Sequence, residues 1–169
     1  LLHSPLRLHA VGSVTECAFA PGTVECLDLR NVDPATLPKG AVSPEAGRAA
    51  YAYIETAVTL CQAGQLDGIV TAPINKEALA AAGREHTGHT EILARLSGTR
   101  DFAMLLMGPD LRVIHVTTNV ALRRVPDLVT RDRVLRVVRL AQQTMTSLGV
   151  GRPRIAVCGL NPHAGEDGL

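Results

Sequence analysis

Asn161, Pro162, His163, Ala164, Gly165 and Glu166 make a loop, punctuated by Pro and Gly, that carries an imidazole. It directly follows the apolar run Ile155, Ala156, Val157, Cys158, which reads as a buried strand. His163 is therefore expected just past a strand's carboxyl end, the edge at which open α/β sheets bind ligands. A neutral imidazole is the commonest protein metal ligand. One His does not make a metal site, since three or more ligands and an open position are needed for catalysis. Glu166 and Asp167 are either further ligands or simply solvated carboxylates.

Three other clusters carry candidate chemistry. The first is Glu85-His86-Thr87-Gly88-His89-Thr90-Glu91, which precedes the apolar residues Ile92, Leu93 and Leu96. A helix starting here leaves its first backbone N–H groups free. With the positive end of the helix dipole they suit a phosphate or carboxylate, and His89 and Thr90 add side-chain donors. An ordinary capped helix with surface histidines accounts for the same spacing. The second is Thr71-Ala72-Pro73-Ile74-Asn75-Lys76, a strand-to-helix turn at the same sheet edge. Lys76 can meet an anion as a mobile point charge or stand solvated. The third is Val116-Thr117-Thr118-Asn119-Val120, with Asn119 just past its strand, where Asn usually serves a turn. Six arginines lie from Arg123 to Arg139, and Asp132 and Arg136 have i,i+4 spacing on what reads as a solvated helix face.

The elements that must position these residues follow from periodicity. Residues 1–11 read as extended and residues 21–42 as loop, with Pro34, Pro38 and Gly40 as breakers. Ser43 then Pro44 starts a helix in which Ala50, Ile54, Ala57, Val58 and Cys61 share a face, and Gly64 stops it. Residues 68–71 form a short strand, 76–82 a helix and 89–96 another. Strands follow over 102–107 and 113–117, separated by Gly108, Pro109 and Asp110, which points to a hairpin. Thr130 caps a long helix presenting Val134, Val137, Val138, Ala141, Met145 and Leu148 on one side, with Gly149 at its end. Alternating helices and strands predict an α/β fold with a mixed sheet flanked by helices.

Composition excludes several classes. Apolar residues make up 46% of the 169, yet no run approaches the ~20 needed to span a bilayer. A net charge of +1 gives no case for nucleic acid or acidic lipid, and scarce aromatics argue against base stacking. Cys17, Cys26, Cys61 and Cys158 include no CxxC pair, which fits reduced thiols in a cytoplasmic enzyme. GxGxxG, Walker and GxSxG motifs are all absent. The residues alone lead to an α/β domain with a candidate anion site and a candidate metal site.

Taken in order, the segments are more specific than any one of them. Gly68-Ile69-Val70-Thr71-Ala72-Pro73-Ile74-Asn75-Lys76, Thr87-Gly88-His89-Thr90-Glu91, Val116-Thr117-Thr118 and Cys158-Gly159-Leu160-Asn161-Pro162-His163-Ala164-Gly165-Glu166 together resemble the 4-hydroxythreonine-4-phosphate dehydrogenase family of vitamin B6 biosynthesis. The resemblance runs over essentially the whole chain.

It implies a fold like that of the isocitrate and isopropylmalate dehydrogenases. Residues 1–169 would be the middle of a longer dehydrogenase domain, incomplete at both ends. It also implies NAD- or NADP-dependent oxidation of a phosphorylated hydroxy acid, 4-phosphohydroxy-L-threonine, followed by decarboxylation. A divalent metal (zinc, magnesium or cobalt) and a cytoplasmic homodimer with its active site between subunits belong to the same expectation. His89 and Thr90 are implied to contact substrate, and His163 to bind metal. Asn119 stands where the family usually has a metal-ligating His, and an amide oxygen is a weaker and harder ligand than imidazole. No catalytic or cofactor-binding residue is placed on this chain. Two alternatives stay open: a related dehydrogenase acting on another phosphorylated four-carbon acid or a carboxylated cyclic dihydrodiol, and an inactive remnant that dimerises or binds a small anion.

Overall fold

The computed structural model describes residues 5–84 and 88–166. The chain divides into two units, Leu1–Gly98 and Thr99–Leu169.

In the first unit, the Ser43 hydroxyl accepts the Ala46 amide at 3.3 Å and Pro44 opens helix α1, Pro44–Gln62. This is the predicted capped start, since it satisfies one of the orphan first-turn donors. Gly64, at φ 70°, reverses the chain so that the Gln65 amide reaches the Leu60 carbonyl at 2.9 Å. Helix α2, Lys76–Ala81, begins where the Asn75 side chain accepts the Ala78 amide at 2.8 Å. Helix α3 spans His89–Leu96, as its periodicity predicts.

The three helices share one core. Tyr51, Ile54 and Val58 from α1 meet Leu79 from α2 and Ile92 from α3, with Ile69, Ile74, Leu93 and Leu96 packed around them. Leu79 and Ile92 are completely buried. The α1–α2 approach is closest at Gly47, where a Cβ would lie 2.0 Å from the Ala78 carbonyl oxygen. The Arg84 guanidinium lies over the Tyr51 ring, 4.2 Å from its centre.

Strands β1, Arg7–Val11, and β2, Thr23–Leu27, pair in parallel, with Arg7 opposite Thr23 and Val11 opposite Leu27. This corrects the expectation of loop throughout residues 21–42. Thr23 to Leu27 alternates in exposure as a short strand should, but its Glu and the surrounding Pro and Gly hide the signal. The Glu25 carboxylate reaches back to accept the amides of Ala18 at 2.6 Å and Phe19 at 3.1 Å. The Ala18 amide foremost, then those of Phe19 and the Cys17 thiol, hold the Glu25 carboxyl below its ordinary range. Desolvation, then the neighbouring Glu25 charge, pushes the Cys17 thiol up.

The predicted strand at residues 68–71 is not one. The segment is extended, but no strand lies beside it among the described residues, and Val70 is fully exposed. An apolar β-branched run becomes a strand only when a partner takes its backbone groups.

In the second unit, β3, Leu105–Met107, and β4, Arg112–Ile114, form an antiparallel hairpin with Leu106 opposite Val113. The Gly108 amide donates to the Leu111 carbonyl at 2.8 Å across the turn. The hairpin is as expected, but both strands are shorter than predicted. A 3-10 turn at Leu122–Arg124 leads into α4, Val125–Leu128, and then α5, Arg131–Ser147. Thr130 caps α5 by accepting the Arg133 amide at 3.3 Å. Val137, Ala141 and Met145 are its buried stripe. Leu148, expected on that face, lies beyond the helix and is exposed. Residues 155–158, predicted as the final strand, are extended without a ladder partner among the described residues, and Val157 is 63% exposed.

The class is therefore α/β with parallel and antiparallel strands, but the described strands form two two-stranded sheets and not one mixed sheet. Among the described residues no helix is long and apolar enough to cross a membrane. All four cysteines are free.

Candidate functional site

In the first unit the candidate groups gather at the start of α3. Gly88 occupies the N-cap position and supplies no side-chain cap. The first helical hydrogen bond is from the Ile92 amide to the Gly88 carbonyl at 3.2 Å, so the His89, Thr90 and Glu91 amides have no intrahelical partner. Two side-chain atoms in this turn, His89 Nε2 and Glu91 Oε2, are buried without a hydrogen-bond partner. Buried polar atoms are normally satisfied, and each that is not costs about 1–3 kcal/mol, more if charged. Among the described residues, the first turn of α3 thus brings together amides without an intrahelical bond, an imidazole nitrogen and a carboxylate oxygen. Glu85, His86 and Thr87 lie outside the described residues.

Asn75 and Lys76 sit where α2 begins. The Asn75 amide oxygen is used for capping, while Lys76 is exposed. Ile74 on one side and Leu79 on the other fix this turn to the same core that holds Ile92 of α3.

In the second unit the segment after β4 carries Thr117, Thr118 and Asn119. The two threonines are half-buried; Asn119 is exposed in the left-handed region, at φ 54°. Such a conformation is several-fold enriched in Asn and also in His. The Val116 carbonyl accepts Arg133 Nε at 2.9 Å. Arg133 is therefore no part of a wholly solvated face, unlike the exposed Arg131, Arg136 and Arg139. The predicted Asp132–Arg136 pair is likewise corrected: Arg136 ion-pairs with Asp101 at 4.0 Å, because the hairpin side offers a carboxylate that the helix pattern does not reveal.

The His163 loop is built on an Asx turn. Asn161 Oδ1 accepts the amides of His163 at 3.1 Å and Ala164 at 2.8 Å. Gly159 permits it, since a Cβ there would stand 2.6 Å from that of Ala164. Ala164 and Glu166 both adopt positive φ, 52° and 37°, a strained conformation of the kind that clusters at functional sites. His163 Nδ1 pairs with Glu166, while the imidazole stays 76% exposed. A carboxylate on Nδ1 is the arrangement that orients a metal-binding His through its other nitrogen. No hydrogen bond or ion pair joins His163 to Asn119 among the described residues. Nor do three His, Cys, Asp or Glu side chains converge there on a point that could hold a metal. The donors fit one imidazole ligand of a metal, not a complete centre. Asp167 lies outside the described residues.

The described residues thus give an α/β chain with candidate polar groups at a helix start in the first unit, and after a strand and in an Asx-turn loop in the second. The family model described as pyridoxal phosphate biosynthetic protein PdxA matches residues 3–169, and the chain belongs to that family. It is 47% identical to D-threonate 4-phosphate dehydrogenase of Cupriavidus necator over 169 residues, all of this chain and 50% of that protein. It is 45% identical to the enzyme of the same name from Pectobacterium atrosepticum over 164 residues, 97% of this chain and 50% of the relative. The solved 4-hydroxythreonine-4-phosphate dehydrogenase of Klebsiella pneumoniae superposes with a TM-score of 0.90 at 42% identity, covering 96% of this chain and 49% of that one. That of Burkholderia phymatum does so with 0.83 at 44%, covering 97% and 49%. The chain thus spans about half the length of the curated relatives it matches.

Proposed function

We propose that this chain forms part of an NAD- or NADP-dependent dehydrogenase acting on a phosphorylated four-carbon hydroxy acid. The observation that carries the reading is the first turn of α3. Its first-turn amides, which make no intrahelical bond, and His89 Nε2 suit an anionic group, and the buried Glu91 Oε2 can accept from a donor. A phosphorylated hydroxy acid supplies both: phosphate or carboxylate oxygens for the amides, and hydroxyls for the carboxylate. His89 and Thr90 are read as substrate contacts, in agreement with the helix dipole.

D-threonate 4-phosphate is the preferred substrate in this reading, because the curated relatives from Cupriavidus necator and Pectobacterium atrosepticum carry that name, at up to 47% identity. This refines the 4-phosphohydroxy-L-threonine expected from the family at large. The two acids differ at the carbon next to the carboxylate, hydroxyl in one and amine in the other. In each, oxidising the alcohol one carbon further on yields a β-keto acid, which loses carbon dioxide readily.

His163 through Nε2, and Asn119 through its amide oxygen, are the residues of this chain that would hold a divalent metal. When bound, such an ion polarises the substrate hydroxyl and stabilises the charge left by decarboxylation. In the first unit the α3 amides and His89 are read as holding the acid's anionic end; in the second unit Glu166 fixes the His163 ring. Both units are read as parts of one dehydrogenase domain, with the fold of the isocitrate and isopropylmalate enzymes, in a cytoplasmic homodimer whose active site lies between subunits.

The test is a substrate panel with the full-length protein, following nicotinamide reduction with D-threonate 4-phosphate, 4-phosphohydroxy-L-threonine and a carboxylated dihydrodiol. Turnover of the first is expected. Turnover of the diol alone overturns the phosphate reading, and none of the three overturns the enzyme. Zinc and magnesium calorimetry on the same protein is expected to show binding lost in His163→Ala and strengthened in Asn119→His. Unchanged affinity in both refutes their assignment as ligands.

A further inference from the structure

We infer that Arg133 is a positioning residue for the Val116-Thr117-Thr118-Asn119 turn; the inference deepens the dehydrogenase reading and rests on it for the turn's role. The connection from β4 to α5 is long. Its other hydrogen bonds are local: Arg124 N–H to the Ala121 carbonyl, Val129 N–H to Val125 and Thr130 N–H to Leu128. The last backbone bond of the hairpin side is from the His115 amide to the Met104 carbonyl at 3.0 Å. Beyond it, the one non-local hydrogen bond holding residues 116–129, among the described residues, is Arg133 Nε to the Val116 carbonyl at 2.9 Å.

The geometry makes this a clasp. Thr130 Oγ1 accepts the backbone amide of Arg133, which fixes the start of α5. From that fixed point the same residue's side chain reaches back across 17 positions. A guanidinium suits the task because its planar donors are pre-aimed. The turn it pins carries Asn119 at φ 54°, in the left-handed region that Asn adopts more readily than most residues. Without the clasp, the threonines and Asn119 would sample other arrangements at the cost of the oriented one.

The experiment uses the full-length protein with Arg133→Met, which keeps an apolar stem and removes the donor, and Arg133→Lys, which restores a cationic donor. Amide hydrogen exchange is read over residues 116–129, together with kcat and KM for D-threonate 4-phosphate and the nicotinamide. Arg133→Met is expected to speed exchange in that segment selectively and to lower kcat about tenfold, the scale of one charge-assisted hydrogen bond. KM for the nicotinamide should hold, and Arg133→Lys should recover part of both changes. Exchange like the parent's in Arg133→Met overturns the clasp, and faster exchange with unchanged kcat and KM overturns its role in the site. A parent inactive on every substrate refutes the dehydrogenase reading and with it the role in the site, while the exchange result still decides the clasp.

Discussion

Gly47→Ala is the sharpest test of how the first unit is held together. In an ordinary helix interior the change would stabilise by about 0.8–1 kcal/mol, since Gly carries the greater backbone entropy. Here the added Cβ would stand 2.0 Å from the Ala78 carbonyl oxygen, 2.4 Å from its carbon and 3.0 Å from the Leu79 nitrogen. The obstacle is backbone, so no rotamer change relieves it, and α1 must move away from α2 by at least about 1 Å. Overpacking of this kind costs about 1–3 kcal/mol. Opening the α1–α2 contact also uncovers part of the fully buried Leu79, whose burial is worth about 1.5–3 kcal/mol. Subtracting the helix gain leaves a net loss of about 2 kcal/mol. For a chain of this size that lowers the unfolding midpoint by at least ~4 °C. Thermal and urea unfolding of the variant measure it, with Gly68→Ala as control, because a Cβ there meets nothing within 4 Å. A Gly47→Ala protein as stable as the parent would refute the close helix approach and the account of the core built on it.

Ser43→Ala should cost about 1 kcal/mol in urea unfolding, because it removes the cap that accepts the Ala46 amide; a neutral effect would mean that the α1 start is held by Pro44 alone. The Glu25 carboxyl is held low by the Ala18 and Phe19 amides, so its contribution is present above the unfolded pKa and disappears as pH falls through the lower folded value. Stability measured from neutral pH downward should therefore decline in the acid range, and Glu25→Gln should flatten that part of the profile. Cys17 has the opposite sign: its raised pKa means stability held below the ordinary thiol range and lost as pH rises through the folded value, and Cys17→Ser should remove that alkaline loss.

Much of the local structure was legible in the residues. Ser43-Pro44 and Thr130 are written as caps, Asn75-Lys76 as a turn into a helix and the helix at His89 in its apolar spacing, because these depend on groups a few positions apart. The hairpin at Gly108-Pro109-Asp110 was legible for the same reason. So was the family, through the ordered Thr87-Gly88-His89-Thr90-Glu91 and Gly159-Leu160-Asn161-Pro162-His163-Ala164-Gly165-Glu166 segments, which local chemistry keeps contiguous.

The sequence by itself therefore determined where α1, α2, α3 and α5 begin, but not α4 or the 3-10 turn before it. Only the tertiary structure decided what those elements meet. Val70 and Val157 lie in runs that read as strands yet form no ladder among the described residues, because a strand is a relation between two segments. Arg133 belongs by pattern to a solvated face but spends its Nε on a carbonyl 17 residues away. Gly47 looks like a helix weakness, yet its lack of a side chain lets the α2 backbone at Ala78 approach α1 closely. In each case the deciding partner is distant in the chain, and local propensity carries no information about it.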